Sequence, residues 1–365
     1  MKFTSNNAKN TIKHLGMFDI EEIELGEKLG SGAFSHVYEV KSFQHCTSER
    51  NCKIKCSHQQ AREQMTQSAE DGGRYAIKFL KKMLLKGNKY QFGIAARNLE
   101  EEARVLSSLD HPNILKIRGW AANGFNAYFD TKRHDGYFIL MDRLEKTLSK
   151  RIEEWKSLAF PYKELRKKLL LEQLMIAHDI AHALEYLHEK GYIFRDLKPD
   201  NIGLDTDNNG KLFDFGLARK MPRGGDMDKQ FQMSGKIGTR RYMAPEVCQN
   251  KPYNAKADVH SFAYVLWEML ALQKPHATLS NVMYRNSVVE NGVRPNMDPS
   301  WPSRIQKLLV RSWDPSVSQR PTMKAIRTIL EIEITELQQE EATRSFRTNL
   351  GEMTEEQILV GPRAA

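Results

Sequence analysis

Cysteine is scarce: four residues in a chain of 365. That is too few to staple the fold, so a disulfide-framed secreted domain is excluded, and a reducing compartment, cytoplasmic or nuclear, is expected. Three of the four, Cys46, Cys52 and Cys56, lie near His45 and His58. They lack the paired CxxC-type intervals of closed zinc modules, and the stretch reads as a polar insertion rather than a metal site. No uncharged apolar run of 18 residues occurs, which argues against a spanning helix. Residues 168–187 come nearest, but Glu172, His178, Asp179, His182 and Glu185 interrupt them, as in a core helix. The opening MKFTSNNAKN has no signal-peptide apolar stretch and begins Met-Lys, not Met-Gly. With no prenylation cysteine at the end either, neither secretion nor a membrane anchor is expected. Repeats of 20 to 50 residues are absent, which excludes a solenoid or propeller. No zinc finger, recognition helix or aromatic single-strand platform appears, so no nucleic-acid partner is expected.

What is present is globular: 40% hydrophobic and 28% charged residues, with a net charge of +9. The positive surface favours anionic partners in general without naming one. The first half holds short runs rich in β-branched and aromatic residues: IELGEKLG, HVYEV, RYAIKFL, ILKIRGW and GYFILMD. One helix, around residues 95–109, interrupts them. The second half has 3.6-period segments around 163–189, 257–273, 302–313 and 322–341. The pattern predicts an α+β fold, an antiparallel sheet lobe followed by a helical lobe. Residues 44–73 lack periodicity and read as a surface insertion. Residues 344–365 lose the helical pattern and read as a mobile tail.

The residues that carry chemistry come in order along the chain. LGSGAFSHV, residues 29–37, lies between two strand candidates. Gly30 and Gly32 let backbone N–H groups approach an anion with no Cβ in the way, although a plain hairpin turn uses glycine too. Lys78, in YAIK, sits on an apolar strand, where a lysine is an edge charge unless an acid meets it. Glu102 is the candidate acid, with Glu100 and Glu101 as neighbours. YIFRDLKPDNIGLD then sets Asp196, Lys198 and Asn201 in a loop after the long helix, and KLFDFGLAR brings Asp214 behind a short apolar strand. An Asp and an Asn supply the oxygen donors that Mg²⁺ prefers. A second Asp can accept a hydroxyl proton. Polar turns explain either motif alone; they do not explain both, in this order, with the glycine loop and YAIK.

The ordered set GSGAFS, YAIK, Glu102, HPNI, FRDLKPDN, DFG, GTRRYMAPE, DVHSFA and QRPT, spread over residues 23–330, resembles a eukaryotic protein kinase of the serine/threonine type. DVHSFAYVLWEML and RSWDPSVSQRPTM are similar to the tyrosine-kinase-like group of those enzymes. The resemblance implies a bilobal fold, with residues 1–20 an N-terminal extension, 21–144 the N-lobe, 145–343 the C-lobe and 344–365 a tail. It implies ATP and Mg²⁺ as cofactors and protein Ser/Thr hydroxyls as acceptors. The phosphates would lie under the loop Gly30, Ser31, Gly32, Ala33, Phe34 and Ser35. The adenine would lie among Leu29, Val37, Ala76, Met141 as gatekeeper, Asp142 to Leu144 as hinge, and Gly203. Lys78, paired to Glu102, would hold the α- and β-phosphates, and Asn201 and Asp214 the metal. Lys198 would steady the γ-phosphate, and Asp196 would receive the acceptor proton. Thr239 would bridge Asp196 and Lys198, Glu246 would pair with Arg320, and Asp258 would brace the catalytic loop. A kinase-shaped scaffold without turnover and a dual-specificity enzyme are the alternatives.

Three positions depart from the family pattern. Ser35 replaces the third glycine, and Phe194 stands where the catalytic loop has His, keeping an apolar contact with Phe215. Gly203 replaces a leucine under the adenine, which predicts a roomier floor. The segment from Asp214 to Glu246 is rich in Lys and Arg and reads as a solvated basic loop, with acidic substrates a weaker reading. Arg195 and Arg219 are expected to converge there and to need an anion, such as phosphate on Ser234, to hold them together.

Overall fold

The structure, a computed structural model, describes residues 15–44, 58–86, 89–128, 133–158, 163–222 and 229–352. The chain forms two compact units. Met1–Leu148, Tyr192–Arg195 and Pro199–Lys220 make the first, and Ser149–Gly191, Asp196–Lys198 and Met221–Ala365 the second.

The first unit is built on a six-stranded sheet. Its strands are β1 (Gly16–Phe18), β2 (Ile23–Ser31), β3 (Ser35–Phe43), β4 (Tyr75–Leu80), β5 (Ile117–Ala121) and β6 (Phe138–Asp142). They lie in the order β1-β5-β6-β4-β3-β2, antiparallel except for the parallel β1–β5 pair. Ile77 and Phe79 on β4 and Phe138, Ile139 and Leu140 on β6 are buried, as expected of central strands covered on both faces. The longer helices of this unit are α1 (Gln59–Glu70) and α2 (Lys89–Ser107). Leu99, Ala103 and Leu106 are the buried stripe of α2, at the spacing an amphipathic helix needs. Smaller pairings complete the unit. β7 (Lys146–Thr147), β9 (Ile202–Leu204) and β10 (Gly210–Leu212) form a three-stranded sheet; β8 (Tyr192–Ile193) pairs with β11 (Arg219–Lys220).

Two features go beyond the sequence reading. Residues 59–70, within the expected insertion, form a helix, and residues 16–18, within the expected extension, form a sheet strand. Each holds the other. The guanidinium of Arg62 on α1 forks onto the Glu22 carboxylate at 3.0 and 3.1 Å, donates to the Met17 carbonyl and lies 4.5 Å over the Phe18 ring. His58 Nδ1 donates to the Leu15 carbonyl at 3.0 Å. Only Met65 of α1 is buried, so the helix rests on polar long-range bonds and leaves no apolar period to read. His45, Cys46, Cys52 and Cys56 lie outside the described residues.

The second unit is helical: α3 (Leu148–Ser157, which begins in the first unit), α4 (Lys163–Glu189), α5 (Lys256–Ala271), α6 (Ser303–Ser312) and α7 (Met323–Glu352). Every residue of α5 from Lys256 to Met269 is buried, so it is the interior helix. Gln173 on α4 donates to the Met269 carbonyl, and Arg327 on α7 meets Glu185 on α4 at 2.6 Å. The helix α7 continues to Glu352, past residue 344 where the apolar stripe ends. Residues 344–350 hold no proline or glycine, so backbone bonding carries the helix on.

Candidate active site

In the first unit, Lys78 is the inward residue of β4, opposite Val37 on β3 and Ile139 on β6. Its ammonium donates to both oxygens of Glu102, on α2, at 2.7 Å, and to Asp214 Oδ1 at 3.3 Å. Burial alone would push the lysine down; the carboxylates of Glu102 and Asp214 outweigh it and hold the group above its usual range. It is therefore a fixed cation at neutral pH. Glu102 is nearly enclosed, whereas the Asp214 side chain is 47% exposed. Asp214 adopts a left-handed backbone (φ 63°, ψ 68°), a conformation few non-glycine residues take, and this turns the chain after β10. Phe213 N donates to the Asn201 carbonyl at 3.1 Å, so Asn201 lies beside the DFG strand end. Asn201 and Asp214 offer hard oxygen donors, a set that fits Mg²⁺ with phosphate oxygens completing the shell.

The other nucleotide candidates also belong to this unit. Leu29, Gly30 and Ser31 end β2, Gly32 to Phe34 make the turn, and Ser35 and Val37 start β3. Gly32 N donates to the Ser35 carbonyl at 3.0 Å, which closes the hairpin, and a Cβ at Gly30 would meet open space. Ala76 pairs with Met141 across β4 and β6, both buried. Asp142, at the start of the hinge, is gripped by Arg118 of β5 through two bonds of 2.7 and 2.9 Å. Sequence reading missed Arg118, because nothing local marks a β5 arginine as reaching the hinge.

Gly203 corrects one expectation. A Cβ there would collide with Leu144 Cδ1 and lie 3.1 Å from its Cγ. Leu144 already fills the place of the missing side chain, so its absence at Gly203 does not leave the expected room. Phe194 meets Phe215 edge-to-face, 5.1 Å between centroids at 77°, which keeps the expected apolar contact. The premise about Arg195 and Arg219 also changes. Arg195 Nε donates to the Leu217 carbonyl at 2.7 Å, and Arg219 pairs with Glu101 at 3.2 Å and donates to the Gly216 and Ala218 carbonyls. Both guanidiniums are held without a phosphate.

In the second unit, Asp196 and Lys198 form a closed set with Thr239. Lys198 Nζ donates to Asp196 Oδ2 and to Thr239 Oγ1, each at 3.0 Å. Thr239 gives its backbone N–H and its hydroxyl to Asp196 Oδ1, at 2.7 and 2.8 Å. These bonds fix both carboxylate oxygens of Asp196, as a positioned proton acceptor requires. Glu246 and Arg320 form a buried fork at 2.7 and 2.9 Å. Asp258 on α5 takes His188 Nε2 at 2.9 Å.

The lysine–glutamate pair reaching the DFG aspartate in the first unit, and separately the aspartate clasped by lysine and threonine in the second, are side-chain sets of the protein kinase type. The protein kinase domain family matches residues 64–330, and the chain belongs to that family. It is similar to the serine/threonine/tyrosine-protein kinase HT1 of Arabidopsis thaliana, 27% identical over 315 residues, 86% of this chain and 67% of the relative. It is also similar to two serine/threonine-protein kinases of the same plant. STY46 is 37% identical over 151 residues (41% of this chain, 25% of the relative) and STY17 36% over 153 (42% and 26%). The chain thus spans two thirds of the first relative and about a quarter of the other two. Family members generally use ATP and Mg²⁺. Among the described residues, no helix is long and apolar enough to cross a membrane.

Proposed function

We propose that this chain is an active protein serine/threonine kinase that moves the γ-phosphate of ATP to Ser or Thr hydroxyls of protein substrates. The observation that supports it most is the intact polar set: Lys78 bound to Glu102 and Asp214, and Asp196 bound to Lys198 and Thr239. In this reading the N–H groups of residues 30–35 cover the phosphates, and Lys78 holds the α- and β-phosphates. Leu29, Val37, Ala76, Met141 and Leu144 enclose the adenine above Gly203, with backbone from Asp142 to Leu144 bonding its edge. Asn201 and Asp214 would hold Mg²⁺, which when bound supplies charge neutralisation on the phosphates. Asp196 accepts the proton of the acceptor hydroxyl as its oxygen bonds to phosphorus, Lys198 balances the γ-phosphate charge, and the bond to ADP breaks. Because the transferred group is metaphosphate-like, most of the work is positioning and cation placement.

Thr239, clasped to Lys198, supports the serine/threonine reading over a tyrosine one. Incubation with radiolabelled ATP, Mg²⁺ and a generic protein substrate tests it. Wild type should label the substrate, and Asp196→Asn should cut the rate by about 10²–10⁴. Equal labelling by the two proteins would refute the assignment.

A further inference from the structure

Residues 229–289 carry eight Lys or Arg and only three acids. All three acids are buried and engaged: Glu246 on Arg320, Asp258 against His188, and Glu268 accepting the Tyr242 hydroxyl at 2.6 Å. Three of the bases are engaged too. Lys256 is buried on the Arg320 carbonyl, Arg241 donates to the Pro275 and His276 carbonyls, and Arg285 pairs with Glu290. Lys229, Lys236, Arg240, Lys251 and Lys274 are exposed, and among the described residues no carboxylate pairs with them. Within this stretch every exposed charge is therefore positive. Asp226 and Asp228, just before it, lie outside the described residues.

These cations belong to one surface of the second unit. Phe231 and Tyr253 bond to each other through their backbones, and Lys236 N donates to the Val247 carbonyl, which ties 229–236 to 247–253. The Arg241 bonds to Pro275 and His276 bring Lys274 beside the same segment. The segment that carries Lys236 and Arg240 also carries Thr239, whose N–H and hydroxyl hold Asp196. Arg240 is the next residue, and Lys236 is three residues back, within about 11 Å along the chain. A hydroxyl bound at Asp196 therefore lies close along the chain to both exposed cations.

We infer that the protein substrate is acidic: the preferred Ser or Thr is flanked by Asp or Glu, whose carboxylates pair with Arg240 and Lys236. This rests on the kinase reading for the location of the acceptor. A plain solvated loop needs no such bias, whereas a field of one sign around the proton acceptor raises the local concentration of acidic partners and sets their register.

The test uses the full chain and three peptides sharing one acceptor, with Glu, Ala or Lys flanks. Phosphorylation and, separately, binding of fluorescent versions by anisotropy are measured for wild type, Lys236→Glu and Arg240→Glu. Wild type should favour the Glu peptide over the Ala peptide by roughly tenfold in both readouts, as two or three exposed pairs allow. The preference should shrink with added salt. Each charge reversal should lower it through KM while the KM for ATP stays unchanged. Equal use of the Glu and Ala peptides, or a preference that survives both reversals, would overturn the inference. So would binding to vesicles containing phosphatidylserine without binding to the Glu peptide. Selective Glu-peptide binding without any turnover would keep the acidic-peptide surface and overturn the kinase reading instead.

Discussion

Replacing Gly203 with alanine adds one methyl group where Leu144 already stands. The new Cβ would lie 3.1 Å from Leu144 Cγ and 3.2 Å from Leu144 Cβ, and closer still to Cδ1. Leu144 must then leave its rotamer or β7, only two residues long, must part from β9. Overpacking of this kind costs about 1–3 kcal/mol. Against it, alanine restricts the unfolded chain and returns about 0.4–1 kcal/mol, so the single variant should lose about 1–2 kcal/mol in urea unfolding at constant m-value. In a Leu144→Ala background only the 3.2 Å contact with Cβ remains, offset by the unfolded-chain gain, so the same change should cost about nothing and the coupling across the cycle should be about 1–3 kcal/mol. Nucleotide binding gives a second readout. If Leu144 supplies the adenine floor, Leu144→Ala should weaken ATP by about tenfold, near the value of one partly buried leucine. Adding Gly203→Leu should restore most of the loss. A Gly203→Leu protein with wild-type stability and ATP affinity, or an alanine cost identical in both backgrounds, would refute the reasoning.

Arg320→Met should strand the Glu246 carboxylate in the interior and cost about 3–5 kcal/mol; a loss under about 1 kcal/mol on urea titration would contradict a buried pair. His260 is fully buried, and burial first, then Arg320 and Arg294, push its imidazole well below the usual range, so it is neutral when folded. As pH falls below about 6.5 the unfolded chain binds a proton that the folded chain refuses. Its share of stability is thus present above that pH and is lost below it, by up to about 1.4 kcal/mol per pH unit. His178 and His276 shift the same way, so the test is the difference in slope. His260→Phe should unfold with a shallower dependence between pH 6.5 and 5, and matching slopes would refute the claim.

Much of the chemistry was legible because it is local in sequence. Lys78 in YAIK, Asp196 with Lys198, and Asp214 before Phe215 each announce themselves within a few residues, and the fold class followed from strand-like runs giving way to helical periods. What stayed hidden depends on distant partners. Helix α1 is held by Arg62 reaching Glu22 and Phe18, a polar attachment that leaves no apolar stripe. Strand β1 is three residues long, too short for alternation to show, and exists because β5 offers it an edge. Leu144 gives no sign in its own neighbourhood that it will occupy the space above Gly203. The basic segment was visible as composition. That the three acids of residues 229–289 are all buried is a property of the tertiary structure alone.

The departures from the family pattern bear on whether turnover has been kept. Two of them are met by a local adjustment that leaves the interior filled: Leu144 replaces the missing side chain at Gly203, and Phe215 receives the Phe194 ring. The cluster at Lys78 argues more directly. Enclosing an ammonium and a carboxylate costs several kcal/mol of lost hydration, and well-packed apolar residues of similar volume would be as stable or more so. The pair therefore has little value as a stabilising device. Its use lies in presenting a fixed cation beside the half-exposed carboxylate of Asp214, an arrangement suited to a polyphosphate and its metal.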